Sequence, residues 1–129
     1  MGAKEVVAAY FEALANGEME KAFINFTPET KWYQPGNNKF SGLKNNLGEI
    51  FQMLEGIMND TSGNMVVKPT GPMLESGDLI SVPVWFTAKK EANMMDLGGM
   101  DLFQVRGGKI VHVWTFSDDQ SIDDEFFGN

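Results

Sequence analysis

Three observations predict an α+β fold, with helices packed against one face of a curved, mostly antiparallel sheet. Apolar residues in the N-terminal half recur at helical spacing. From Met65 onward they fall into β-rich stretches punctuated by glycine and aspartate. Ser76-Gly77-Asp78 and Arg106-Gly107-Gly108 are turn signals for antiparallel hairpins. Helices first and strands afterwards is the order of an α+β domain.

The first helix is predicted over residues 3–16, where Val6, Val7, Tyr10, Phe11 and Leu14 form one stripe and Asn16-Gly17 supplies a stop. A short second helix over 18–26 carries Met19, Ala22, Phe23 and Phe26. It ends at Thr27-Pro28, because a residue before proline disfavours the helical region. Thr30 to Gln34 reads as a short strand running into the turn Pro35-Gly36-Asn37-Asn38. A third helix is predicted over 42–58, with Leu43, Leu47, Ile50, Phe51 and Leu54 on one side. Strands follow over 65–70, 73–75, 79–90, 93–105 and 109–116. On the last of these, Val111, Val113 and Thr115 share one face while His112, Trp114 and Phe116 share the other, and neither face is polar. An antiparallel sheet normally leaves one face to water, so the outer face is predicted to be covered by a second subunit, making a homodimer.

No repeat or linker interrupts the chain, so one domain over residues 1–129 is expected. Hydrophobic residues make up 43% and charged residues 22%, a globular composition, and the length suffices for a core without covalent staples. Net charge is −8 and the ten basic residues are scattered, which argues against a nucleic-acid partner. No apolar run approaches the ~20 residues of a membrane span, and no secretory leader is evident. With no cysteine there can be no disulfide or thiolate site, as suits a cytoplasmic protein. Gly98-Gly99 and Gly107-Gly108 precede strands rather than helices, so no phosphate cradle is expected. His112 is the only histidine and cannot build a usual zinc site alone. Neither metal nor cofactor is expected.

Asp101 is the most informative residue. It lies on a strand-like run with Phe103 and Val105 on its own face, where a carboxyl is costly unless something uses or neutralises it. It either faces a pocket or pairs with Arg106 or Lys109, and alternation favours the pocket. Tyr10 is either a core tyrosine or a partner of Asp101. Trp32, Tyr33, Phe86 and Met100 lie on strands that could line a cone, and nine methionines suit a pocket that adapts to its ligand. The aromatic face holding His112 reads as packing or interface. Asp118, Asp119, Asp123, Asp124 and Glu125 lack calcium-loop spacing and read as a solvated tail, docked by Ile122, Phe126 and Phe127.

Three motifs carry a family resemblance. They are Val7 to Gly17 with Tyr10 and the ending Ala-Asn-Gly, Phe26 to Gly42 around Gln34-Pro35-Gly36, and Asp101 to Asp118 with Asp-Leu-Phe-Gln-Val-Arg-Gly-Gly-Lys-Ile-Val followed by Trp114. In this order and spacing the chain resembles the NTF2-like superfamily of cone-shaped domains, and within it the ketosteroid isomerases and SnoaL-like polyketide cyclases. The resemblance implies that Tyr10 and a protonated Asp101 donate hydrogen bonds to a substrate oxyanion. The isomerase's general-base aspartate falls on Gln34, which has no useful basicity. Asp118 matches an acid at the end of the cyclases' last strand. The histidine common in their final strand falls on Val113, and His112 points to the other face. The implied site comprises Tyr10, Asp101 and Asp118 as catalytic residues, with Trp32, Gln34, Phe86, Met100, Phe103, Val113 and Thr115 binding a small hydrophobic substrate. Two functions remain open. One is a cofactor-free isomerase or cyclase whose base is Asp118, a water held by Gln34 or a substrate group; the other is a non-catalytic ligand-binding domain.

Overall fold

The computed structural model describes residues 2–129. Helix α1 (Ala3–Ala15) buries Val6, Val7, Tyr10, Phe11 and Ala13, and Gly17 at φ +71° ends it in the left-handed region. Helix α2 (Met19–Ala22) is a single turn, much shorter than predicted. Phe26 belongs instead to strand β1 (Phe26–Gln34), which starts ahead of Pro28 because the register shifts between Phe26 and Lys31 and the proline sits in that irregularity. Strand β2 (Gly42–Lys44) occupies the start of the predicted third helix, and helix α3 runs from Leu47 to Asp60. Its true start is a reciprocal cap. Asn46 Oδ1 accepts from the Glu49 N–H at 2.9 Å, and Glu49 Oε1 accepts from the Asn45 N–H at 2.8 Å.

Strands β3 (Val66–Pro69), β4 (Leu74–Ser76), β5 (Leu79–Lys90), β6 (Asn93–Arg106) and β7 (Lys109–Ser117) follow close to their predicted positions. The seven-stranded sheet has the order β2-β1-β7-β6-β5-β3, with β4 also on β5. Every pairing is antiparallel except β1 with β7. Helices α1 and α3 cover its inner face, where Ile80, Val82, Val84, Phe103, Ile110 and Val113 are fully or almost fully buried. Burial of each such side chain contributes about 1.5–3 kcal/mol. A register shift between Gln104 and Val105 opposite β7 puts Ile110, not Val111, on the inner face with Val113.

The acidic tail is ordered as helix α4 (Gln120–Phe127), capped by Asp119 Oδ1 at the Ile122 N–H. It buries Phe126 and Phe127 as predicted but leaves Ile122 43% exposed and buries Asp123. Asp124 Oδ1 accepts hydrogen bonds from the Asn37 N–H at 2.9 Å, Asn38 Nδ2 at 2.8 Å and Gln120 Nε2 at 2.9 Å, which fastens α4 to the loop after β1. Any side chain at Gly36 would collide with Gln120 and Asp124. No helix among the described residues is long and apolar enough to cross a membrane.

Candidate functional site

Strand alternation on β6 sends Asp101 inward, opposite Val82 on β5 and Thr115 on β7. It is 7% exposed, and burial alone pushes its carboxyl up to about 7, since neither a neighbouring charge nor a hydrogen bond offsets the lost hydration. The ion-pair alternative does not hold, because Arg106 Nε binds Asp78 Oδ2 at 2.8 Å instead and no charge from Arg106 or Lys109 acts on the Asp101 carboxyl. Tyr10 projects from α1 into the same interior. Burial raises its hydroxyl far above the usual phenol value, and the nearby Asp101 charge raises it further. Four rings enclose it, with centroids at 5.1 Å (Phe11), 5.8 Å (Phe23), 5.6 Å (Phe26) and 5.5 Å (Phe103). Water is thus largely excluded from the one acid and one phenol at the heart of the cone.

Gln34 closes the row from the β1 side. Its Oε1 accepts from Trp32 Nε1 at 3.0 Å and lies 3.3 Å from Thr115 Oγ1. An indole N–H can only donate, so this bond settles which end of the amide is oxygen and leaves Nε2 as the group with hydrogens to offer. Of the remaining residues predicted to bind substrate, Trp32, Phe86, Phe103, Val113 and Thr115 belong to the inner face. Met100 does not. It pairs with Pro83 and Phe116 on the outer face, as it must if its neighbour Asp101 points inward. Asp118 is not brought into the interior either. β7 ends at Ser117, and the chain turns toward α4 with Asp118 exposed in a shallow outer groove beside Trp85, Met100 and Phe116.

Phe11, Phe23 and Phe26 were legible only as apolar positions, and nothing local reveals that they converge on Tyr10. The buried Asp123 was missed as well. Burial raises its carboxyl, opposed by a hydrogen bond from Gln120 at 2.8 Å and reinforced by Asp124. A helix cap at Asp119 followed by Ile122 and Phe126 was the available signal for its helix. Among the described residues no group of three potential ligands could hold a metal ion.

On the outer face His112 stacks on Trp114 with centroids 3.7 Å apart, and burial followed by the Lys31 charge lowers its imidazole below the usual value. Tyr33, Leu43, Trp85 and Phe116 are 42–49% exposed around it, so this face is broadly apolar and open.

A cone of three N-terminal helices on a curved sheet is the architecture of the NTF2-like superfamily. A family model for the SnoaL-like domain matches residues 7–113, and the chain belongs to that family. Among solved structures, a protein of unknown function with cystatin-like fold from Xanthomonas campestris is 28% identical, with a TM-score of 0.94 over 100% of both chains. An NTF2-like protein of unknown function from Burkholderia pseudomallei is 16% identical, with a TM-score of 0.85 over 100% of both chains. IdmH, a proposed polyketide cyclase from Streptomyces antibioticus, is 16% identical, with a TM-score of 0.73 over 92% of this chain and 93% of its own. No curated protein matches this chain.

Proposed function

We propose that this SnoaL-like protein is a cofactor-free enzyme acting on a small apolar carbonyl compound, whose developing oxyanion is received by Tyr10 and protonated Asp101. The observation that carries this reading is the unrelieved burial of Asp101 beside Tyr10. A carboxyl that keeps its proton to near neutrality can donate a hydrogen bond, and preorganised donors in a dry site are worth several kcal/mol to an oxyanion. Gln34 adds a third donor through Nε2 and cannot serve as a base. This favours aldol-type cyclisation over double-bond isomerisation. In a substrate with a C–H between two carbonyls, water or a substrate group takes the proton. The enolate carbon then bonds to a second carbonyl carbon, whose π pair moves onto the oxygen facing Tyr10 and Asp101. The likeness to IdmH agrees with that reaction class. The open outer face around Trp114 and Phe116 supports a homodimer through the sheet.

A second reading, a non-catalytic ligand-binding domain, is favoured by the amide at Gln34 and by the exposure of Asp118. A carbon-detected titration of the Asp101 carboxyl, with Asp101→Asn as assignment control, tests the site first. A midpoint near neutrality supports the oxyanion reading, whereas a midpoint near 4 removes its main residue. Turnover across a panel of polyketide-like diketones and enones then separates enzyme from binder.

A further inference from the structure

Three large apolar side chains left exposed on the helical side lie together. Met19 on α2 is 45% exposed, and Phe51 and Met58 on α3 are 45% and 41% exposed. With Phe23 and Leu54 they line an open groove of about 470 Å³ between the two helices, with Glu20 and Glu55 at its rim. The groove exists because α2 is a single turn that packs along α1 and hardly touches α3. Its floor is Phe23. That ring meets Phe51 edge-on at 5.2 Å on the groove side and Tyr10 edge-on at 5.8 Å on the interior side. The Phe23 ring therefore touches both the Tyr10 ring and the groove-lining Phe51 ring.

We infer that the α2–α3 groove is the outer half of the ligand site and that Phe23 is the gate between the halves. The inference rests on the oxyanion reading of Tyr10 and Asp101 and extends it to substrate class. The ligand is elongated, with a carbonyl or phenol end at Asp101 and an apolar tail between Met19, Phe51 and Met58. Flexible methionines suit a tail of variable shape. No lysine or arginine lines the groove and two glutamates rim it, so the tail ends in an uncharged or cationic group, not a carboxylate or phosphate.

Three fluorescent phenols test this on the wild-type chain at low salt: 2-naphthol, 6-hexyl-2-naphthol, and the same hexyl probe ending in a carboxylate. The hexyl tail should tighten binding about tenfold or more over 2-naphthol. The terminal carboxylate should lose most of that gain and recover it in the Glu20→Gln/Glu55→Gln double variant. Both glutamates are exposed, so folding is not at stake, and 2-naphthol affinity should not change in that variant. Phe23→Leu should speed 2-naphthol association several-fold in stopped flow. A hexyl probe that binds no tighter than 2-naphthol, or a carboxylate probe indifferent to the double variant, overturns the groove assignment. An unchanged association rate removes Phe23 as the gate. Equal 2-naphthol binding by wild type, Tyr10→Phe and Asp101→Asn withdraws the oxyanion reading, and the inference with it, whatever the tail does.

Discussion

The two faces of the β6–β7 hairpin have similar residues and opposite surroundings. On the inner face Asp101 lies between Val82 and Thr115, beneath α1, with its carboxyl cut off from water. On the outer face Met100, Leu102 and Trp114 are only half-buried, and Phe116 is 49% exposed. One face thus hides a polar group and the other displays apolar ones. Each mismatch raises the free energy of the isolated chain, and the proposed function assigns each a different relief, a polar ligand atom inside and an apolar protein surface outside.

The largest effect that can break this contrast is on stability. Asp101 titrates near 3.9 in an unfolded chain and near 7 when folded, so the folded state binds the extra proton between those values. Its stabilising contribution is complete below about pH 4 and is lost as pH rises through 7, amounting to about 4 kcal/mol in alkaline solution. Denaturation of Asp101→Asn should therefore show a variant more stable than wild type above about pH 8 and no more stable below about pH 4. Parallel stability profiles would mean that the inner face is wetter than its packing implies.

Next in size is the chemistry. Tyr10→Phe and Asp101→Leu should each lower turnover about 10²-fold, or ~2.7 kcal/mol, in steady-state kinetics with the competent diketone. Full activity in both would leave the interior with no functional distinction from core. The outer face is probed by Trp114→Glu. Sedimentation of wild type should show a dimer and the variant a dissociation constant raised about tenfold to a hundredfold, with the Asp101 titration unmoved. A monomeric wild type would remove the dimer and leave the open face unexplained. The smallest effect measures the cover that α4 adds. Asp124→Ala removes three hydrogen bonds to the β1 loop and to Gln120 and should cost about 1–2 kcal/mol in chemical denaturation.

Strand periodicity is a local property, so the chain itself placed Asp101 with Phe103 and Val105 and separated Val113 and Thr115 from His112, Trp114 and Phe116. The cap Asn46-x-x-Glu49 was equally local, and it marked where α3 begins although the apolar stripe suggested an earlier start. Other features depended on partners distant in sequence. Residues 26–29 join β1 because β7 lies alongside them, and a bulge against β6 exchanges Ile110 for Val111 on the inner face. Met100 and Asp118 leave the site through the direction of one strand and the end of another. The four phenylalanines around Tyr10 converge from α1, the α2–β1 turn, β1 and β6, and the Gln34 amide takes its orientation from the Trp32 indole. Sequence by itself determined the α+β class, most of the strands and the inward direction of Asp101, because propensity and alternation act over a few residues. Only the tertiary structure decided that Asp101 is desolvated, that a buried phenol lies near it, and that Asp118 is exposed outside the interior, because burial and proximity are set by segments far apart in the chain.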